Sequence, residues 1–375
     1  MGRAVVRLEN KDLSGGMIEP AETTAASSLR PRQVFRSDTR WGCSVIEWPS
    51  LETFLATEEV QSGVHSVPIG EFAGKPINYD FFFTARPGTV LLCHFHGNAP
   101  REGVDPPFFA GLGVTSSTTA SLFVPSDPVL ELDANLSLAW HFGCEGIRLQ
   151  AITVRIVQKL QALLETPRVV AWGGSGGGFA AIRVVKDVPN AIALVWNPQT
   201  DIARYYPESV VRYRSIAFPR IAADTPIPSD RGQFPSLCTD EFLDGYKGHI
   251  LYLQESTDWH VEAHLKPFLA SFCGKEASDI AGCSNFSGLV TDQLYLHLDH
   301  WGNGHVPPGK DVISKILGLL SGGTTNRGNL EDLKGFPREA TDYIASIFSK
   351  HVSAMEVSEK AGSFPLGSSS THDSP

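Results

Sequence analysis

The sequence lacks the features that mark several large classes of protein. It contains no run of about 18 apolar residues, so no membrane span is expected. Its 31 Lys and Arg are outnumbered by 41 Asp and Glu, and the net charge of −10 argues against a general nucleic-acid binder. The 6 cysteines are scattered without a C-x-x-C pair, which is typical of reduced thiols in a cytoplasmic protein. Residues 1–11 have no apolar core, so no secretory signal is expected there.

The distribution of apolar runs divides the chain into three predicted regions. Residues 1–85 are expected to combine an irregular start with a small β-rich unit. From residue 86 to 322, strands alternate with helical patterns, which predicts a mainly parallel α/β sheet flanked by helices. Within that region, residues 203–247 show no simple period and are predicted to form an inserted cap or a long loop. Residues 323–375 are expected to hold added helices and a disordered tail.

The most informative segment is 169–182, where an apolar run meets a glycine-rich turn that contains one serine. The order of apolar run, G-x-S-x-G core and Ala-rich continuation predicts a strand, a sharp turn and a helix. Glycines on both sides of Ser175 suit such a turn, because it requires close backbone approach and unusual dihedral angles. The free N–H groups at the start of the following helix would face the serine oxygen. This arrangement predicts a nucleophilic serine.

Two other glycine-rich turns, and a turn of purely structural role, are alternatives to this interpretation. A phosphate-binding loop requires Gly-Lys-Ser/Thr at its end, whereas Phe179 follows Gly178 here. A dinucleotide-binding turn is compatible with the spacing of Gly176 and Gly178. However, Asn197 stands where the ribose-binding carboxylate would end the next apolar run. No cofactor is therefore expected.

A serine hydroxyl becomes a good nucleophile only when a base removes its proton. The serine turn resembles that of the α/β-hydrolases, and this resemblance implies the chain order serine, acid, histidine, each following a strand. Asp258 and His305 follow two later apolar runs in that order and are the predicted acid and base, with Ser175 as the nucleophile. Glu255 and His300 are their nearest competitors. The structural alternatives are a helix-capping role for Asp258 and an exposed loop position for His305.

Acyl transfer also requires backbone donors for the oxyanion. Gly176, directly after the nucleophile, is the predicted first donor. The second is expected in the loop after the apolar run 89–95, from the N–H of Asn98 with help from Gly97. The pair His94 and His96 in the same region also suggests a metal site, but further ligands at a recognised spacing are missing, so no metal is predicted.

Taken together, these motifs resemble the α/β-hydrolase superfamily over roughly residues 86–322. More narrowly, the chain is similar to a bacterial group related to the accessory Sec system protein that acetylates sugars on serine-rich glycoproteins. The matching segments are Val124–Pro128, Leu138–Gly143, the serine turn, Trp196–Ile202, Leu253–Gln254 with Asp258, and Gly304–Pro308. The resemblance implies a Ser-Asp-His site that acts on acyl esters, including acetyl groups on carbohydrate, and a β-rich N-terminal module. Residues 203–247 have no counterpart in it.

Three functions from different classes are compatible with these residues. The leading hypothesis is a serine carboxylesterase or acetylesterase that cleaves a small-molecule or glycan acyl ester through an acyl-enzyme. The second is an O-acyltransferase that passes the acyl group to a sugar hydroxyl. For that reaction Trp259 and Trp301, beside the predicted acid and base, are candidate substrate-binding residues, although both also suit ordinary packing. The third is a catalytically inert binding subunit with the same fold.

Overall fold

The computed structural model describes residues 5–7, 34–38, 43–222, 225–229, 233–322 and 340–346. Within these ranges the strands are β1 Val5–Arg7, β2 Val34–Asp38, β3 Cys43–Glu47, β4 Glu59–Gln61, β5 Gly63–Phe72, β6 Lys75–Thr84, β7 Val90–His94, β8 Ser121–Pro125, β9 Arg168–Gly174, β10 Ala191–Trp196, β11 His249–Glu255, β12 Phe286–Thr291 and β13 Leu294–Asp299. The helices are α1 Leu51–Ala56, α2 Leu149–Leu163, α3 Gly176–Val185, α4 Pro207–Ala217, α5 Asp240–Leu243, α6 Lys266–Phe272 and α7 Lys310–Ser321. A π-helical turn, Val261–Leu265, leads into α6.

An 11-stranded sheet has the order β12-β13-β11-β10-β9-β7-β8-β6-β5-β3-β2. The strands from β13 to β8 in this order are parallel, as the alternation of strands and helices predicts. Strand β6 pairs antiparallel with β8 and carries the sheet into the N-terminal region. The predicted boundary near residue 85 therefore falls within a continuous sheet, and the division of the chain into units remains a prediction.

Helices cover both faces of the parallel strands because successive side chains of a strand point to opposite sides. Val169 and Ala171 of β9 belong to one buried cluster, together with apolar residues of α2, α3 and α6. Val170 and Trp172 belong to a second cluster, with residues of α7 and the helical segment 340–346. The predicted fold class, a mainly parallel sheet flanked by helices, is confirmed by this arrangement.

The structure describes most of residues 203–247 but only a short part of the region from residue 323 onward. Residues 203–247 are not merely a loop, because they contain α4 and α5, and Tyr213 of α4 is fully buried. Of the predicted C-terminal helices, the structure describes only residues 340–346, and the other residues from 323 onward lie outside the described part. Among the described helices, none combines the length and the apolar character that crossing a bilayer requires.

Candidate active site

Ser175 lies in the turn between β9 and α3 with backbone angles of φ 54° and ψ −123°. A positive φ is uncommon for a residue with a side chain and marks a strained turn. Two neighbouring glycines are required by close contacts. A Cβ on Gly174 would overlap the indole of Trp196, and one on Gly177 would overlap the carbonyl oxygen of Phe95. The turn therefore has the geometry that the G-x-S-x-G pattern predicts, with a half-buried serine at the carboxyl end of β9.

Asp258 and His305 are brought together because the strands that precede them are neighbours. Asp258 follows β11 and His305 lies in the loop after β13, and these two strands are parallel. His305 Nδ1 donates to Asp258 Oδ2 at 2.6 Å. The Asp258 side chain is fully buried, whereas 37% of the His305 side chain is exposed. A carboxylate in this position fixes the ring of the histidine and stabilises its protonated form.

A second histidine shares the carboxylate of Asp258. His260 donates to Asp258 Oδ1 from Nδ1 at 2.8 Å and from its backbone N at 3.0 Å. Its buried ring stacks on that of His305, with a centroid distance of 4.2 Å. Burial by itself would raise the pKa of Asp258, but the hydrogen bonds from both histidines outweigh it and hold that pKa well below its usual range. Asp258 is therefore an anion that accepts hydrogen bonds from both imidazoles.

Asn197 connects the loops of the predicted acid and base to the serine turn. Its Nδ2 donates to the Val306 carbonyl at 2.9 Å, and its Oδ1 accepts from the backbone N of Glu255 at 2.8 Å. The preceding residue, Trp196, accepts at 3.1 Å from the backbone N of Ser175. Asn197 has φ 42°, a left-handed conformation that Asn tolerates better than most residues. The Asn197 side chain thus holds the two later segments, and the backbone of the preceding residue holds the serine turn, at the same edge of the sheet.

The hydroxyl of Ser175 is held by Gln199. Gln199 Nε2 donates to Ser175 Oγ at 2.9 Å, and within the described part of the chain no hydrogen bond joins Ser175 to His305. Gln199 Oε1 accepts from Trp140 Nε1. The nucleophile and the Asp258–His305 pair are therefore linked through neighbouring side chains and backbone rather than by a direct hydrogen bond.

Glu255 and His300 form a second carboxylate–imidazole pair next to the first. His300 Nδ1 bonds to Glu255 Oε1 at 2.7 Å, and the carboxylate is fully buried. Its other oxygen accepts from both the backbone N and the hydroxyl of Thr257, each at 2.7 Å. The Thr257 hydroxyl in turn accepts at 2.9 Å from the backbone N of Gly304, the residue before His305. Glu255 thus supports the loop that carries the predicted base.

The predicted oxyanion loop packs directly against the serine turn. A Cβ on Gly97 would lie 3.0 Å from the Gly174 carbonyl oxygen, 3.5 Å from Ser175 Cβ and 3.8 Å from Gly176 N. Gly176 opens α3, so its N–H is among those without a partner inside the helix. Asn98 is exposed beside Gly97. Gly97 thus packs on the serine turn, Gly176 directly follows the nucleophile, and Asn98 follows Gly97 in the chain; their role as oxyanion donors remains a prediction.

His94 and His96 use their ring nitrogens on the backbone. His94 Nδ1 bonds to the Trp172 carbonyl at 3.2 Å, and its ring packs on the Trp172 indole. His96 Nε2 accepts from the backbone N of Asp127 at 3.2 Å, so its proton lies on Nδ1, which donates to the Gly97 carbonyl at 2.8 Å. Burial lowers the pKa of His94 to about 3 and that of His96 to about 4.

In the described part of the chain, the residues with the spacing of a metal site are Asp258, His260 and His305. Their candidate ligand atoms lie within 4.8 Å of one another. Two imidazoles and a carboxylate are a donor set that suits zinc. However, Nδ1 of each histidine is bonded to Asp258, so a metal bound to those two nitrogens would have to displace both protons.

The two predicted substrate-binding tryptophans have different surroundings. Trp259 is half-buried, with its ring 4.2 Å from that of His260 and 5.0 Å from that of the exposed Tyr206. Trp301 donates from Nε1 to the Val306 carbonyl at 3.0 Å, so its indole N–H holds the loop of the predicted base. The role of either ring in binding substrate remains a prediction.

Sequence reasoning missed Gln199 and His260 as members of this site. Gln199 lies in the segment 196–202, which follows β10 at the edge where the other site residues gather, and that position is the signal that could have found it. His260 stands two residues after Asp258, a separation that lets one carboxylate accept from both the backbone and the ring of the same histidine.

No protein-family model matches the sequence, and no curated protein matches it. Among solved structures, it is similar to a glycosylation-associated protein (Gap123) complex from Streptococcus agalactiae, with 10% identity and a TM-score of 0.43 over 65% of this chain and 43% of that one. It is also similar to the capsule O-acetyltransferase of Neisseria meningitidis serogroup A, with 12% identity and a TM-score of 0.40 over 66% of this chain and 94% of that one. A third similar structure is carboxyl esterase 2 of the mycorrhizal fungus Tuber melanosporum, with 14% identity and a TM-score of 0.42 over 68% of this chain and 85% of that one. Likenesses this distant carry no information on activity. On its own strand order and serine turn, the chain has the α/β-hydrolase fold.

Proposed function

We propose that this protein is a serine hydrolase that cleaves acyl esters through an acyl-enzyme on Ser175. The observation that carries the proposal is the hydrogen bond of 2.6 Å between His305 Nδ1 and Asp258 Oδ2, at the sheet edge that presents Ser175. This bond places the imidazole proton on Nδ1, because an ionised carboxylate can only accept. Nε2 of His305 is then the nitrogen that can take a proton from the serine.

The reaction that this geometry supports has two halves. In the first, the Ser175 proton passes to His305 Nε2 while Oγ forms a bond to the ester carbonyl carbon, and the carbonyl electron pair becomes an oxyanion. The N–H groups of Gly176 and Asn98 would stabilise that oxyanion. Its collapse breaks the ester bond, and the alcohol leaves with the proton from His305. In the second half, water repeats the steps on the acyl-enzyme and releases the acid.

The hydroxyl of Ser175 is able to enter this reaction from its observed position. Because Oγ accepts a hydrogen bond from Gln199, its own proton remains available for donation. Contacts between a nucleophile and its base are often loose before substrate binds and tighten afterwards. Ser175 is half-buried rather than enclosed in the core, which is compatible with the approach of an ester from solvent.

A fluorophosphonate probe followed by intact-mass measurement tests the proposal. We expect one covalent adduct on the natural chain, and its loss in Ser175→Ala together with loss of p-nitrophenyl acetate hydrolysis, on the order of 10⁴-fold or more. Ser116→Ala is a matched control, because that exposed hydroxyl bonds only locally to the Gly113 carbonyl. It should keep both adduct and turnover. An unlabelled natural chain, or unchanged turnover in Ser175→Ala, would rule out the proposed function.

A further inference from the structure

The nucleophile has a hydrogen-bond donor that is not part of the proposed triad. Gln199 is fully buried, and its Nε2 lies 2.9 Å from Ser175 Oγ. Resting on the proposed function, we propose that Gln199 is a further catalytic residue, whose side-chain N–H stabilises the negative charge that develops on Ser175 Oγ during both halves of the reaction. The hydrogen-bond partners of the amide and its attachment to the serine turn support this role.

The orientation of the Gln199 amide is fixed by a neighbour that can only donate. The Trp140 indole N–H contacts Gln199 Oε1, and an indole nitrogen has no acceptor capacity. The carbonyl end of the amide must therefore face Trp140, which leaves the NH₂ end directed at Ser175. Trp140 is fully buried and has φ 56°, so it is held in an uncommon conformation by the surrounding structure.

The position of Gln199 relative to the nucleophile is fixed by the backbone. The backbone N of Gln199 donates to the carbonyl of Ser175 at 3.1 Å. One residue therefore contacts the serine twice, by its main chain and by its side chain. This double attachment holds the amide at the nucleophile before the reaction begins. No conformational entropy is therefore lost in ordering the donor, as it would be for a donor on a mobile loop.

The donor acts at the moments when Oγ carries negative charge. As the Ser175 proton moves to His305 Nε2, charge builds on Oγ and is neutralised when its bond to the carbonyl carbon forms. In deacylation the order is reversed. The bond from Oγ to the acyl carbon breaks, its electron pair returns to Oγ, and the proton comes back from His305. An N–H group at hydrogen-bond distance lowers the free energy of both transition states relative to the neutral hydroxyl.

The rate of inactivation by a fluorophosphonate isolates this effect, because the probe reports on the nucleophile without deacylation. In that step the Oγ–P bond forms, the P–F bond breaks, fluoride leaves with its electron pair, and the serine proton passes to His305. We expect Gln199→Leu to lower the second-order rate constant by about 10- to 100-fold, the effect of losing one hydrogen bond to a charged atom. Hydrolysis of p-nitrophenyl acetate should lose a similar factor in kcat, with a smaller change in KM.

Gln150→Leu is the matched control. Gln150 is another buried glutamine with two hydrogen bonds, but its partners are the backbone N and O of Phe234. This variant should lose thermal stability and keep the labelling rate. If the natural chain is labelled and folded Gln199→Leu reacts at the same rate, the role of Gln199 is refuted while the proposed function stands. If Gln150→Leu slows labelling equally, the effect is one of general destabilisation and the inference also fails. An unlabelled natural chain instead refutes the proposed function itself.

The isosteric Gln199→Glu variant provides a readout that a purely structural role would not produce. As a carboxylate it has no proton to donate to Ser175 and adds a repelling charge, whereas as a carboxylic acid it can donate again. The ratio of its labelling rate to that of the natural chain should therefore rise as the pH falls from 8 to 5.5. Taking the ratio cancels the protonation of the catalytic base. A ratio that does not change with pH would contradict the inference, even if Gln199→Leu proves too unstable to purify.

Discussion

Two buried carboxylates, each bonded to a histidine, lie side by side, and substituting one at a time decides which pair performs the chemistry. Asp258→Asn removes the charge that would stabilise a protonated His305, and Glu255→Gln does the same for His300. The comparison is closely matched, since both carboxyl groups are fully buried and both changes convert an acid into its amide. We expect only the first to cause a large loss of activity.

The size of the loss follows from the contact between Asp258 and His305. Opposite charges about 4 Å apart attract by about 4 kcal/mol at an effective dielectric constant of about 20. Each power of ten in rate corresponds to about 1.4 kcal/mol, so Asp258→Asn should lower kcat/KM by about 10³-fold. The new amide can also donate to His305 Nδ1, which would move the ring proton to Nε2 and block its use as a base. Glu255→Gln should cost less than about tenfold, because the amide oxygen can still accept from Thr257.

The assay is hydrolysis of p-nitrophenyl acetate at pH 8, with thermal unfolding of each variant measured alongside. A large loss in Glu255→Gln with less than a tenfold loss in Asp258→Asn would refute the reasoning, and would identify His300 as the base. Equal losses accompanied by equal destabilisation would mean that both pairs act only as supports for the loop.

Two further predictions concern stability and the serine turn. The free energy of unfolding should fall by about 2 kcal/mol per buried neutral histidine between pH 8 and 5. The reason is that a histidine of the unfolded chain takes up its proton near pH 6.5. In the native state, burial lowers the pKa to about 4 at two of three such sites and to about 3 at the third. Those three are His65, His94 and His96, and burial also lowers the pKa of His264 to about 3 and that of His297 to about 4, which adds to the fall in the same direction. Asp127, whose pKa burial raises to about 7, takes up a proton in the native state and offsets about one of them. Urea unfolding measures this, and a flat profile would contradict it. Gly177→Ala should displace Phe95 and the predicted oxyanion loop after it, and lower kcat/KM by about 10²-fold. Gly318→Ala has open space around its Cβ, so it should keep the activity and leave stability unchanged or raised. Equal activity in both variants would contradict the packing argument.

The parts of the site that could be predicted from sequence share one physical origin. The carboxyl ends of neighbouring parallel strands meet at the same edge of a sheet, so residues that follow β9, β11 and β13 must gather there. Ser175, Asp258 and His305 each follow one of these strands. Their residue types and chain order select them as candidates, and the bond between His305 and Asp258 agrees with that choice.

The remainder depends on contacts between segments that are distant in sequence. The pairing of β6 with β8 joins the N-terminal strands to the parallel sheet, yet 36 residues separate the ends of the two strands, from Thr84 to Ser121. The orientation of Gln199 depends on Trp140, 59 positions away, in a conformation that no local pattern predicts. Such features are set by tertiary packing, and a single sequence carries no periodic signal for them.

Two histidines bond to Asp258, and its negative charge can stabilise the protonated form of either imidazole. A single carboxylate can stabilise one imidazolium well, and a second positive ring stacked 4.2 Å away would oppose the first. Burial of His260 lowers its pKa against the opposing effect of Asp258, so that ring stays neutral, whereas His305 reaches solvent. The negative charge is therefore directed to His305. The hydrogen bonds that His260 donates orient the carboxylate, and its burial leaves the negative charge to His305, the proposed base.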